Sequence, residues 1–326
     1  MKFRKLGKSG FDVSEIGLGC WQLGGDFVTV SEDRSQRILD AAANSGINFW
    51  DTADVYGGGR SEALIRKYCD GNAPEVFVAT KVGRDAELYP DGYTKAKVRI
   101  NLEGSARRLG VDTLDLVQLH CVPPEILKAG DLLAWMEDFQ AEGLIRAFGA
   151  SVETIDEAMM AASHPGLASL QIIFNLFRQD AIDRLFQVAA ANGVGIIVRL
   201  PLASGVLGGK MKPGQQFDPS DHRNYNRNGE FFSQGETFSG VPFETALGFV
   251  ESLRTHLPEN MSMAQMAMRW ILDYPAVSTV ITGASRPEQV LENAGASGLA
   301  PLSEELHGKF AEFYRAQIAP SVVVPI

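Results

Sequence analysis

Four side chains of different chemistry stand where short apolar runs give way to polar loops. Asp51 and Tyr56 lie in Asp51-Thr52-Ala53-Asp54-Val55-Tyr56-Gly57, Lys81 in Thr80-Lys81-Val82-Gly83, and His120 in Gln118-Leu119-His120-Cys121. A phenol with its ordinary pKa of about 10 exchanges protons poorly near neutral pH. An ammonium beside it in a low-dielectric pocket favours the phenolate and lowers that pKa. Lys81 can do this for Tyr56 while it stays charged; burial opposes that charge and the carboxylate of Asp51 supports it. A neutral His120 can donate a hydrogen bond to an oxygen that is gaining negative charge. Together the four make a general-acid site with a small oxyanion hole, suited to carbonyl reduction and lacking only a reductant. Taken singly, each has a plainer reading: half of a structural ion pair, or a packing residue. Their placement at the ends of neighbouring runs favours a site.

The elements that must position them alternate along the chain. Residues 16–19, 47–50, 75–82, 114–119, 145–150, 170–175, 194–198 and 277–281 read as strands. Between them lie helical patterns over 31–46, 61–69, 94–109, 131–141, 155–163 and 181–191, and another over 287–296 follows the last. Strands alternating with helices imply βαβ units and a parallel sheet. Eight such pairs predict an α/β fold, a (β/α)8 TIM barrel with a short N-terminal hairpin (2–8) and a long loop after strand 7, forming one domain over 1–326. Catalytic groups of such barrels sit at the C-terminal ends of the strands, where these four lie. The long loop, 203–242, is expected to form a lid or pocket wall, because Phe231, Phe232 and Phe238 have little reason to remain in water.

Composition narrows the function classes. The 326 residues carry a formal net charge of −10, which argues against a nucleic-acid partner, since phosphates must be met by cations. Hydrophobic residues make up 45% of the chain, as in ordinary globular proteins, and no apolar run approaches a membrane span. Cys20, Cys69 and Cys121 form neither a CxxC nor a zinc-like spacing with histidine, so no metal is expected and a reduced, cytoplasmic setting is. The basic start, Lys2, Arg4 and Lys5, is followed by Asp12 and Glu15 and builds no signal peptide. Gly17-x-Gly19 and Gly57-Gly58-Gly59 do not form the GxGxxG of a Rossmann site.

Several ordered motifs together resemble the aldo-keto reductases over nearly the whole chain. They are Gly17-Leu18-Gly19-Cys20-Trp21, the Asp51–Gly57 and Ala79–Gly83 segments, 107–120, Phe148-Gly149-Ala150-Ser151, Pro201–Lys210 and Thr282–Asn293. The resemblance implies a tetrad of Asp51, Tyr56, Lys81 and His120, Tyr56 being the proton donor. It implies NADP(H) as cofactor, with NAD(H) the less favoured choice, and a small-molecule carbonyl or alcohol as substrate. Ser151 and Gln171 match positions that hold the nicotinamide carboxamide. Leu202, Ser204, Gly205 and Lys210 match the pyrophosphate loop, while Gly283, Ser285, Arg286, Gln289, Glu292 and Asn293 match the grip on the adenosine end. Gly19, Cys20 and Trp21 complete the expected cofactor set, Trp21 also matching a position that lines the substrate pocket. A helix N-terminus suits phosphate, and Arg286 is the natural partner of a 2′-phosphate.

Two positions depart from the pattern. Val152 stands where many relatives have Asn, so a carboxamide hydrogen bond is lost or comes from Gln171 or Asn175. Arg199 stands where an aromatic ring often stacks on the nicotinamide. Its planar cation is expected to favour NADPH over the cationic NADP⁺. Two other functions compete: an NADPH-sensing regulatory subunit like the potassium-channel β subunits that share this barrel, and a lyase or isomerase using Lys81 as a Schiff base. The long loop's Asn, Asp and Arg hint at sugar-like substrates.

Overall fold

The computed structural model describes residues 1–25, 30–230 and 235–324. Strands β1 (Phe3–Lys5) and β2 (Asp12–Ser14) form an antiparallel hairpin. Eight parallel strands follow: β3 (Ile16–Gly19), β4 (Phe49–Asp51), β5 (Phe77–Val82), β6 (Leu114–His120), β7 (Ile145–Ser151), β8 (Ser169–Ile173), β9 (Gly195–Arg199) and β10 (Val277–Gly283). They pair in chain order and β10 closes on β3, making the expected barrel. Helices between the strands cover its outside, and their start signals are local. Ser31 and Thr94 accept hydrogen bonds from Arg34 and Lys97, while Thr154 with Glu157 and Ser262 with Gln265 form capping boxes.

Side chains along each strand alternate between the helix layer and the barrel interior. The lower interior is apolar: Phe49, Ala79, Leu116, Ala147, Ile197 and Ile281 cluster there with Leu6, Phe11 and Val13 of the hairpin. Two residues further along, the same inward face carries Asp51, Lys81, Gln118 and Arg199. The interior therefore changes from oil to charge within one strand repeat. Polar chemistry is confined to the C-terminal mouth because the hairpin closes the other end.

Several expected boundaries move. The hairpin extends to Ser14, since its second strand is needed to carry Phe11 and Val13 into the barrel. The helix expected over 181–191 breaks into Ala181–Arg184 and Phe186–Ala191 at Leu185. A helix over Pro124–Ala129 was not anticipated. The region 203–242 contains short helical turns at Ala203–Gly208, His222–Tyr225 and Phe238–Gly240. Phe238 is buried there, 4.8 Å from the Phe243 ring, whereas Phe231 and Phe232 lie outside the described residues. Among the described residues no helix is long and apolar enough to cross a membrane.

Gly7 sets how closely the hairpin seats. Its φ is +49°, and a Cβ there would stand 2.4 Å from both Ala168 O and Gly195 N. Gly7→Ala is expected to lower stability by about 1–3 kcal/mol through overpacking against backbone. Urea denaturation should show a lower midpoint at unchanged slope.

Candidate active site

Strand register assembles the site. Gly19 pairs with Asp51, Lys81 with Gln118, His120 with Ser151, and Ser151 with Gln171, so these residues ring the mouth. Lys81, only 1% exposed, donates to Asp51 Oδ2 at 2.6 Å, to Thr52 O at 2.7 Å and to Tyr56 Oη at 3.2 Å. Asp51 Oδ1 accepts from Gln171 Nε2 at 2.7 Å and Gln118 Nε2 at 3.3 Å. Ser151 Oγ in turn donates to Gln171 Oε1 at 3.3 Å. Every polar end of the Lys81–Asp51 pair is thus met, as a buried ion pair requires.

Tyr56 rides on the loop after β4. The loop folds back so tightly that a Cβ on Gly57, at φ +59°, would stand 2.2 Å from Gly24 O. Beneath it, Thr52 Oγ1 donates to Ser61 Oγ and Ser61 Oγ to Cys20 O, each at 2.8 Å. Glu62, fully buried, accepts from Thr80 Oγ1 at 2.5 Å and from Arg108 Nε at 2.6 Å. The Tyr56 ring stacks on Trp21 at 5.8 Å and meets the edge of His120 at 5.9 Å.

The electrostatics depart from the sequence expectation in one respect. Burial pushes the Tyr56 phenol well above its ordinary value; Lys81 pulls it down and Asp51 adds to the rise, so the net direction is upward. The ammonium was expected to lower this pKa, but loss of water around a phenolate is the larger effect. Burial also works against the Lys81 charge, yet Asp51 and Tyr56 more than offset it and the ammonium is strengthened. His120 is held well below the usual histidine value by burial and then by the cations Lys81, Arg84 and Arg199, so its imidazole is neutral. Its Nδ1 has no hydrogen-bond partner among the described residues.

Two cavities meet at Tyr56. One is a groove of about 290 Å³ that passes Gly19, Trp21, Leu202, Ser204 and Gly205 and ends at Gly283, Ser285 and Gln289. The other, of about 300 Å³, lies against Tyr56, His120 and Ser151. Tyr56, Trp21, Gln171, Arg199 and Glu236 border both. The loop after β9 turns through left-handed backbone at Leu200, Ala203, Ser204 and Gly205. Ser204 Oγ pins it by donating to Glu236 O at 2.9 Å. At the far end, Gln289 Oε1 accepts from Ser285 N at 2.8 Å and Arg286 N at 3.2 Å, at the start of helix Pro287–Gly295.

Other expected residues fall elsewhere. Cys20 is fully buried, its thiol directed at Leu18 O, and does not reach the groove. Lys210 and Glu292, neither of which lines the groove, pair at 3.3 Å, Arg286 is exposed, and Asn293 is buried on its helix. Asn175 cannot replace the missing Asn at position 152. It is fully buried, donates to Leu200 O and Ser239 Oγ at 2.8 Å each, and accepts from Phe177 N at 2.8 Å. Arg199 does not present a bare cation, because Glu236 pairs with its Nη1 and Val152 O accepts from its Nη2 at 3.2 Å. The expected bias toward NADPH over NADP⁺ loses its cause.

Sequence reading missed Gln22, Arg223 and Glu236, which border the groove. His222, also in the long loop, borders the groove with its ring 5.3 Å from that of Trp21. Arg223 and Glu236 belong to the long loop, whose composition signalled a wall without saying which residues face inward.

The family model "Aldo/keto reductase family" matches residues 15–315. The chain is 30% identical over 309 residues to an uncharacterized oxidoreductase of Bacillus subtilis, YqkF, covering 94% of each. It is 30% identical over 321 residues to a probable voltage-gated potassium channel subunit beta of Oryza sativa subsp. japonica, covering 93% of each. Among solved structures, the glycerol dehydrogenase AKR11B4 from Gluconobacter oxydans superposes with a TM-score of 0.79 at 26% identity, over 100% of this chain and 97% of that one.

Asp54, two residues before Tyr56, has a carboxyl pushed up to about 7 by burial and then by Glu62. Arg108 and the Val55 N–H oppose this, and Asp85 adds slightly to it. The folded chain holds a proton here that the unfolded chain releases near pH 4. Stability from this group is therefore full below about pH 4 and is lost as pH rises toward about 7. Asp54→Asn removes that loss. The gap in melting temperature between variant and wild type should widen in the variant's favour from pH 4 to 7 and then level off.

Proposed function

Since the chain belongs to the aldo/keto reductase family, and is thereby an oxidoreductase acting on carbonyl or alcohol groups, we propose that it reduces an aldehyde or ketone with NADPH, Tyr56 donating the proton. The observation that carries this reading is the Lys81 ammonium, which touches both the Asp51 carboxylate and the Tyr56 hydroxyl where the two cavities join.

The groove fits an extended dinucleotide. It offers a backbone turn at Ser204 and Gly205, a helix start at Ser285–Gln289, and the buried Gln22 Oε1, which has no hydrogen-bond partner among the described residues. Gln171 and Ser151 would hold the carboxamide, the Ser204–Gly205 turn the pyrophosphate, and Ser285 with Arg286 and Gln289 the adenosine end. When bound, NADPH supplies the hydride. The chain's own residues manage the proton. Tyr56 rests as a neutral phenol and gives its proton to the carbonyl oxygen as negative charge builds there. The phenolate left behind is stabilised by Lys81, whose charge Asp51 maintains. Neutral His120 donates a hydrogen bond to the same oxygen.

The chain's similarity to a probable potassium channel β subunit favours a second reading, a cofactor-sensing regulatory protein. Both readings need the groove; only the first needs turnover.

Tyr56→Phe should cut NADPH-dependent carbonyl turnover by about 100-fold or more while NADPH still binds. Full turnover in the variant refutes the proton assignment, and tight NADPH binding by wild type without turnover of any carbonyl favours the regulatory reading. Because the phenol is held protonated, wild-type reduction should vary little between pH 6 and 8, whereas alcohol oxidation, which needs the phenolate, should rise with pH. Arg286→Ala should weaken NADPH binding about 10-fold or more and leave NADH binding unchanged, as loss of a charged hydrogen bond to a 2′-phosphate requires. Equal losses for both cofactors would remove Arg286 from that role.

A further inference from the structure

The cavity against Tyr56 and His120 has a charge inventory that closes on itself. Among the described residues that border it or anchor its floor, three are cations and three are carboxylates, matched one to one. Lys81 pairs with Asp51 at 2.6 Å with side chains 1% and 4% exposed, and Arg199 pairs with Glu236 at 8% and 15%. Arg84 pairs with Glu153 at 2.8 Å, and these side chains are 20% and 31% exposed. His120 adds no charge, since burial keeps its imidazole neutral. Neighbouring Asp85 and Glu157 direct their carboxylates to backbone N–H groups, of Glu87 at 2.9 Å and of Glu153 at 2.8 Å. Among the described residues, a substrate carboxylate or phosphate entering here meets no unmatched cation.

The three pairs are not equivalent. The first two are sealed in the floor and the wall. The third spans from the loop after β5 to the loop after β7, over the end of β6, and is the pair a substrate reaches from the open side. Arg84 does not depend on Glu153 for its place. Its Nε donates to His120 O at 3.2 Å, and its guanidinium lies 4.6 Å from the centre of the Tyr89 ring. Without Glu153, a fixed and permanently charged fork would face the cavity, the geometry that binds carboxylates.

We infer that this pocket takes uncharged carbonyl compounds, and that Glu153 sets that specificity by occupying Arg84 and denying it to anionic substrates. The inference rests on the carbonyl-reductase reading. It goes beyond it in naming the substrate class and a residue outside the tetrad.

The test compares 4-nitrobenzaldehyde with 4-carboxybenzaldehyde, substrates of similar shape and differing charge, using the full-length enzyme with NADPH. Wild type should favour the neutral aldehyde. Glu153→Gln should raise the carboxylate-to-neutral ratio of kcat/KM about five- to tenfold, mainly through KM, and added salt should erode the gain. Glu153→Asp should restore the exclusion, and the double variant Glu153→Gln with Arg84→Gln should lose the gain. An unchanged ratio in Glu153→Gln, or a wild type that already prefers the carboxylate, overturns the inference and leaves the reductase reading intact. Turnover of neither aldehyde would count against that reading, and calorimetric titration of benzoate into the NADPH-loaded proteins still decides the inference. Tighter benzoate binding by Glu153→Gln supports it, and equal binding sinks it.

Discussion

An ammonium buried in the mouth of a barrel is the constraint around which this molecule is arranged. Desolvating Lys81 costs several kcal/mol unless its partners are in place. The structure supplies them from three directions: the Asp51 carboxylate, the Thr52 carbonyl and the Tyr56 hydroxyl. Asp51 is secured in turn by two amides, Gln118 and Gln171, from strands across the mouth. A one-residue slip of β5 would turn Lys81 into the helix layer and leave Asp51 unmatched, so the charge pair and the register enforce each other.

The same network explains why the proposed donor can be a phenol. With water excluded, the neutral phenol is the stable form even beside a cation, so Tyr56 holds its proton until charge develops on a nearby oxygen. Lys81 then matters for the state after transfer. The neutral imidazole of His120 follows first from its burial and then from the cations Lys81, Arg84 and Arg199 around it, which oppose a further positive charge there.

Glu236 ties the long segment after β9 into this arrangement. Its side chain neutralises Arg199 and its carbonyl anchors Ser204, so one residue joins the two cavities and fixes the turn between them. The charges around the cavity against Tyr56 and His120 are balanced while the protein carries a net charge of −10, which places the excess negative charge away from that cavity.

Much of this was legible in the residues themselves. Alternation of short apolar runs with helical patterns gave the barrel, because periodicities of 2.0 and 3.6 are local properties of the backbone. That Asp51, Tyr56, Lys81 and His120 converge could be read because the polar groups of a barrel's mouth gather at strand ends, which are visible in sequence. Folding alone decided the sign of the Tyr56 shift, the pairing of Arg199 with Glu236 and of Arg84 with Glu153, and the withdrawal of Cys20 and Asn175 into the core. Each of these depends on which distant groups share a desolvated space. Composition and spacing determine that such groups exist; only packing determines their distances and the water left between them.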